Sequence, residues 1–373
     1  MSTILLTGVT GQVGSQLAPL LQKQGHTVLY LVRAGNHRQA VNRLHKVLPR
    51  VQENDIALAG DVTQPLGGIK PSQVRKWRGA VDKIVHCAAS IKFDREAADE
   101  IWQTNVEGTR QMLNLTEALA GPEFHYLGTA YIAGDAVIFS EDDRDVGQTS
   151  RNPYEKSKLE AEKLITRSRF SHTILRMSIV IGDSGTGFTP AFNGYFGFFK
   201  GFWRLKKYLH EQWVTDKERL KRMGVQFDEQ GNLELPLSID CSPNSTLNLI
   251  TSDWLSDMLA KLVDAPANDQ VFHLVHPNPP RVQWVIETSL ELMGIKGIRF
   301  REPNISADYP MLRTLQGGVR KNVARFLPYI THEPVFECRN LNGYHSPPPV
   351  NRELLSQMLK FAMSVDFESD KIN

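Results

Sequence analysis

The string Thr7-Gly8-Val9-Thr10-Gly11-Gln12-Val13-Gly14 constrains this chain more than any other segment. An apolar run over residues 3–7 leads into it, and residues 12–24 follow with Val13, Leu17, Leu20 and Leu21 at helical spacing. A strand that enters a glycine turn and leaves as a helix is the start of a dinucleotide-binding βαβ unit. Gly8 permits the tight turn, Gly11 lets backbone approach a pyrophosphate, and Gly14 lets the helix pack closely on the strand. The first N–H groups of the helix supply donors and the positive end of a dipole. Thr7, Gly8, Thr10, Gly11, Gln12, Val13 and Gly14 are therefore the expected phosphate cradle.

The pattern continues as strand-like runs over 27–32, 56–59, 83–86, 124–127 and 172–181, with helical spacing over 38–48. This alternation predicts an α/β fold, a Rossmann-type doubly wound parallel sheet. After Gly182 the pattern breaks. Strand-like 246–250, helix-like 253–262 and strand-like 271–275 read as a return to the sheet. The expected division is a cofactor domain over 1–184 and 245–276. A smaller, discontinuous substrate lobe takes 185–244 and 277–373, with a last helix near 352–363.

The second strand ends in Arg33, nineteen residues after Gly14. An acidic residue there would bind the ribose 2′-hydroxyl of NAD; an Arg favours the 2′-phosphate of NADP. Arg43 is a second candidate for that phosphate, and NADPH is the expected cofactor. Asp61, followed by Val62, sits after the third strand, either facing the adenine amino group or capping the loop. His86-Cys87-Ala88-Ala89 follows the fourth, where small Ala88 and Ala89 allow close cofactor approach. No basic partner marks Cys87 as a nucleophile.

Asn152-Pro153-Tyr154-Glu155 carries the signals of a helix start, with Asn152 as N-cap, Pro153 at N1 and Glu155 closing a capping box. Tyr154 and Lys158 are then i and i+4 on one face. An ammonium near a phenol lowers the phenol pKa, and such a Tyr can protonate a carbonyl that receives hydride. Tyr154 and Lys158 also border the nicotinamide ribose in this reading. Thr129, just after a strand, is the expected second hydroxyl, with Ser140, Thr149 and Ser150 as alternatives in a polar loop. Asn105 orients a water or the Lys158 ammonium, or packs.

Taken in order, Gly8/Gly11/Gly14, Asp61, His86 to Ala89, Asn105, Thr129 and Tyr154/Lys158 resemble the extended short-chain dehydrogenase/reductase superfamily, in which the GxxGxxG spacing is the familiar form. Leu29-Tyr30-Leu31-Val32-Arg33-Ala34, Gly60-Asp61-Val62-Thr63-Gln64-Pro65, Gly128-Thr129-Ala130-Tyr131 and Leu175-Arg176-Met177-Ser178 resemble its thioester reductase and fatty acyl-CoA reductase branch. That branch often has Ser where this chain has Gly128, so Thr129 is the only hydroxyl that maps. The resemblance implies a reductase of an acyl thioester carried by coenzyme A or by an acyl or peptidyl carrier protein, giving an aldehyde or, after a second hydride, an alcohol. Two other readings stand beside it. One is a nucleotide-sugar epimerase/dehydratase or hydroxysteroid-type dehydrogenase; the other is a non-catalytic NADP-binding regulatory protein.

Composition narrows the partners. The 373 residues carry 43 Lys and Arg against 41 Asp and Glu, so no global basic field attracts nucleic acid. Three widely spaced cysteines predict neither a disulfide framework nor a metal site, and fit a reducing, cytoplasmic compartment. The first residues have no basic n-region and read as a strand, and no run is long enough for a transmembrane helix. Eight aromatics fall between Phe188 and Trp203. Phe192, Phe196, Phe199 and Trp203 share one helix face, readable as core, as the wall of an acyl channel, or as peripheral membrane contact. From Trp203 to Arg222, seven Lys or Arg stand against three Asp or Glu, a patch suited to coenzyme A phosphates or an acidic carrier.

Overall fold

Seven of the apolar runs pair as one sheet: β1 (Thr3–Thr7), β2 (Thr27–Arg33), β3 (Ile56–Gly60), β4 (Lys83–His86), β5 (Glu123–Thr129), β6 (His172–Met177) and β7 (Gln270–Leu274). Their spatial order is β3-β2-β1-β4-β5-β6-β7, and every pairing is parallel. The sheet is parallel and doubly wound, as the sequence predicts, and its order is the Rossmann order extended by one strand. The strands are buried almost throughout, as a sheet with helices on its faces requires. Parallel pairing also sets all C-terminal ends along one edge, where Thr7, His86 and Thr129 sit.

The computed structural model describes residues 1–48, 56–301 and 313–372. They fall into two compact units. The first is Met1–Ser178, Ser252–Val275 and Pro334–Ser346; the second is Ile179–Thr251, His276–Glu333 and Pro347–Asn373. In the first unit the helix Gln12–Lys23 packs on Ser252–Asp264, and Gly108–Ala118 packs on Pro153–Thr166. Buried Lys83, at the start of β4, donates to the carbonyls of Val263 (2.7 Å), Asp264 (3.1 Å) and Ala265 (2.9 Å). A cation thus closes the C-terminal end of Ser252–Asp264, where carbonyls lack helical partners.

The division differs from the sequence boundaries in both directions. Residues 334–346, expected in the smaller lobe, belong to the sheet unit: Val335–Phe336 pairs with Ile138–Phe139. The buried Glu141 carboxylate also accepts from the Asn340 and His273 N–H groups, each at 2.8 Å. Residues 179–184 and 245–251, expected with the sheet, belong to the second unit. There Ile179–Val180 pairs only with Leu249–Ile250, so the strand-like run over 246–250 never joins the large sheet.

The second unit is built on the helix Gly194–Thr215. Phe192, Phe196 and Phe199 are buried in one apolar core with Tyr195, Phe198 and Phe202. Val285 and Ile286 of Val282–Leu292, and Leu355 and Met358 of Arg352–Ser364, belong to the same core. Of the three meanings the helix face could have, packing is the one these side chains have. Trp203 is only partly buried, and its indole N–H donates to Asp366 at 3.1 Å. Gly201 faces Asn322 so closely that a Cβ there would lie 2.2 Å from its amide nitrogen. Gly201 thus leaves room for the Asn322 side chain of the helix Arg313–Val323, which packs on Gly194–Thr215.

Candidate active site

The glycine turn has the shape its sequence predicts. Gly8 has φ +77°, and a Cβ there would lie 2.6 Å from the Ala88 nitrogen; one on Gly14 would lie 2.4 Å from the Gly8 carbonyl oxygen. Neither position accepts a side chain without backbone movement. Gly11 caps the helix Gln12–Lys23 with no side-chain acceptor on its first N–H groups, and the buried Gln12 Nε2 has no partner. Open N–H donors, an unsatisfied amide and a wall made of backbone suit a pyrophosphate. Val13 and Thr10 flank this turn, half-buried and exposed respectively.

Thr7 ties the turn to β4. Its Oγ1 accepts from the Ala88 N–H at 3.1 Å and lies 2.8 Å from His86 Nδ1. Burial, with the Lys158 ammonium nearby, drives the His86 pKa down to about 3, so the ring is neutral. Burial pushes the Cys87 thiol up to about 12, which leaves no thiolate to act as a nucleophile. Ala89 is half-buried on the same loop.

At the end of β2, the exposed Arg43 guanidinium donates to the Arg33 backbone carbonyl at 2.7 Å, and Arg33 is exposed as well. Asp61 is a loop cap: its Oδ1 accepts from the Thr63 N–H (3.0 Å) and hydroxyl (2.9 Å). Val62 packs at Gly108, where a Cβ would come within 3.3 Å of its methyl.

Tyr154 and Lys158 lie on the helix Pro153–Thr166, capped by Asn152 through the Glu155 N–H. The Glu155 carboxylate accepts from the Arg151 N–H at 2.8 Å. Both site side chains are buried. Lys158 Nζ donates to the Leu127 carbonyl at 2.6 Å and stands 4.3 Å over the Tyr126 ring. Burial lowers its pKa to about 8, against the pull of the Glu162 carboxylate. Tyr154 departs from expectation. Burial raises its pKa, opposed by a hydrogen bond with Thr129, and Lys158 is not among the groups that move it. A phenol held neutral is the form that can give a proton.

Thr129 stands at the end of β5, within hydrogen-bond reach of Tyr154; its Oγ1 also contacts the Met177 carbonyl at 3.3 Å. The alternative hydroxyl Ser140 is bound to Asp143 at 2.9 Å. Asn105, on a π-turn (Gln103–Glu107), bonds neither Lys158 nor Tyr154 directly. Its amide donates to the Ser90 carbonyl and the Ser157 hydroxyl, both at 2.9 Å, and its oxygen accepts from the Ser90 N–H at 2.7 Å. It therefore positions the Tyr154 helix against the loop after β4. Sequence reasoning missed Ser157, although it lies three residues from Tyr154 in the same motif.

The missing side chain at Gly128 has a local cause. Arg176 and Glu162, both fully buried, pair at 2.9 Å, and a Cβ on Gly128 would lie 2.9 Å from Glu162 Oε1. Arg176 also donates to the Asp143 carbonyl at 2.7 Å. Phe192, Phe196 and Phe199 belong to the second unit's core, described above. Among the described residues, no cluster of His, Cys, Asp or Glu could hold a metal, and no helix is long and apolar enough to cross a membrane.

A glycine cradle beside a Thr, Tyr and Lys set on a doubly wound sheet defines an NAD(P)-binding oxidoreductase of the extended short-chain type. Residues 6–227, more than half the chain, match the family of NAD-binding domains described as "Male sterility protein", and the chain belongs to that family. It is 32% identical over 197 residues to the NRPS-like oxidoreductase fscA of Fusarium equiseti, covering 49% of this chain and 18% of that protein. It is 31% identical over 144 residues to fatty acyl-CoA reductase 1 of Gallus gallus, covering 34% of this chain and 28% of that protein. The chain thus spans less than a third of either relative. The terminal R domain of the myxalamid PKS-NRPS pathway shares the fold, with TM-score 0.74 at 22% identity over 98% of this chain and 91% of that one.

Proposed function

We propose that this chain reduces an acyl thioester, held by a carrier protein or coenzyme A, with NADPH. The observation that carries the reading is the convergence of Thr129, Tyr154 and Lys158 at the sheet edge, beside a turn whose Gly8 and Gly14 accept no side chain. Gly8 to Gly14 hold the pyrophosphate, Arg33 and Arg43 take the 2′-phosphate, and Lys158 faces the nicotinamide ribose. Asp61 keeps its adenine role only through the carboxylate oxygen that does not cap the loop. Bound NADPH supplies hydride to the thioester carbon. Thr129 and Tyr154 donate hydrogen bonds to the carbonyl oxygen, and Tyr154 gives it a proton as charge develops. The hemithioacetal so formed collapses to aldehyde and free thiol. A second cycle at the same residues would give the alcohol. The sheet unit is the cofactor domain in this reading, and the other unit supplies the substrate lobe.

The test is turnover of acyl-CoA and carrier-bound thioesters with NADPH and with NADH, with thiol release and product mass followed together. Tyr154→Phe should lower kcat by about 10²–10⁴, the usual contribution of a positioned acid. Arg33→Ala should weaken NADPH binding with little effect on NADH. No thiol release from any thioester would remove the reaction, and equal use of both cofactors would remove the NADPH assignment.

A further inference from the structure

The chain after β4 changes character within a few residues. Cys87, Ala88, Ala89 and Ser90 are small; Ile91, Lys92 and Phe93 follow. The change in size tracks a change in what the backbone meets. At Ala88 it presses on the glycine turn, since a Cβ on Gly8 would lie 2.6 Å from the Ala88 nitrogen. At Ser90 it is clamped at both N–H and carbonyl by Asn105, which also holds Ser157 of the Tyr154 helix. Lys92 is drawn outward to Glu100 at 2.6 Å. Phe93 turns the other way: its ring centroid lies 5.8 Å from that of Tyr154, tilted by 49°. One short loop therefore runs from the cofactor turn to the proton donor, fixed at its midpoint and ending in a half-buried aromatic ring.

We propose that Phe93 is a specificity-determining residue, the wall against which the acyl carbon next to the reacting carbonyl packs. The proposal rests on the reading of Tyr154 as the proton donor. The Tyr154 hydroxyl must reach the carbonyl oxygen, so substituents on the carbonyl carbon lie within a few bond lengths of that phenol. A ring packed against Tyr154, just past the residues that line the cofactor turn, bounds the space open to them. The clamp at Ser90 makes that boundary firm, because Asn105 ties the loop to the helix that carries Tyr154. An α-branched acyl group should therefore be disfavoured relative to a straight chain.

The experiment compares straight-chain and 2-methyl-branched acyl N-acetylcysteamine thioesters, and the matching aldehydes, for wild type, Phe93→Ala, Phe93→Leu and Phe93→Trp. The branched-to-straight ratio of kcat/KM should rise about tenfold in Phe93→Ala, the size of effect a methyl group has in an apolar pocket. It should rise less in Phe93→Leu and fall in Phe93→Trp, with the NADPH Kd unchanged throughout. A ratio constant within about twofold across all four proteins, or equal losses on every substrate, would reduce Phe93 to packing and overturn the proposal. Wild type active on aldehydes alone would overturn the thioester reading, while the same ratio on aldehydes still judges Phe93. Wild type inert toward both classes would overturn both.

Discussion

Lys158 shows how a single buried cation can be tuned by its surroundings. Its side chain is almost wholly buried, yet it is bonded to the Leu127 carbonyl, faces the Tyr126 ring and has Glu162 one turn further along its helix. Burial disfavours the ammonium and brings the pKa to about 8, while the Glu162 carboxylate acts in the opposite direction. The proposed partner of this ammonium is the cofactor, so the protonated form is the one that binds. The sign follows directly: raising the pH through about 8 removes the charge and weakens NADPH. A titration of NADPH affinity should be flat at lower pH and then lose about tenfold per pH unit, the limit for binding by the protonated form alone. Lys158→Met should bind weakly at every pH and abolish the bend. A wild-type profile flat through pH 10 would remove Lys158 from the cofactor site. Tyr154 responds to the same burial in the other direction, which keeps it protonated and makes it a weaker acid than a free phenol.

At the scale of elements, the helix Gly194–Thr215 and its neighbour Arg313–Val323 give a test of what their glycines do. Gly317 and Gly318 lie in the second of these helices, and a Cβ on either meets nothing within 4 Å. Replacing either by Ala should stabilise the protein by about 0.5–1 kcal/mol, the usual cost of glycine in a helix interior. Gly201→Ala carries the same propensity gain but displaces the Asn322 amide, which contacts the Phe198 carbonyl at 3.4 Å. That amide is the free end of a flexible side chain, so Gly201→Ala should gain less than Gly317→Ala. Thermal unfolding of the three variants decides it, and a gain at Gly201 equal to that at Gly317 would refute the close-approach explanation. The contrast also marks what was legible in the sequence. The glycine turn, the strand runs and the Tyr154/Lys158 pair are local signals, set by spacing within one element, and are readable in the sequence. Helical period defines the apolar face of Phe192, Phe196 and Phe199 but not what covers it, because the covering residues come from segments distant in sequence. The Asn105 clamp, the Phe93 contact and the Arg176–Glu162 pair join residues distant in sequence, and no spacing rule reaches them. The place of residues 334–346 in the sheet unit has the same cause, since Glu141 and Asn340 meet only in the fold.

Over the whole molecule, charge is nearly balanced, and the basic stretch after Trp203 is the main local departure. The structure divides that stretch by what each cation already holds. Arg204 pairs with Glu368 at 2.6 Å and Lys207 with Asp366 at 2.9 Å, while Lys206 donates to the Met293 carbonyl at 2.8 Å. Lys221 pairs with Glu218 at 3.0 Å, and Lys217 stands 5.1 Å over the Trp213 ring. Reversing Lys206 or Lys207 would therefore disturb the second unit's own contacts as much as any partner. Arg219 and Arg222 differ: both are exposed and line a surface cavity of about 590 Å³ with Tyr208, Gln212 and Thr314. If an acidic carrier protein delivers the thioester, these two guanidiniums are the charges that can meet it. Charge pairs at an interface rim act mainly on encounter and fade with salt. Arg219→Glu with Arg222→Glu should raise KM for a carrier-bound thioester about tenfold at low ionic strength, with kcat little changed, and the difference from wild type should shrink as salt is added. An N-acetylcysteamine thioester, which has no carrier to dock, should be turned over as by wild type. Equal loss on both substrates would mean that the two arginines support the fold, and no loss on either would move the docking surface elsewhere.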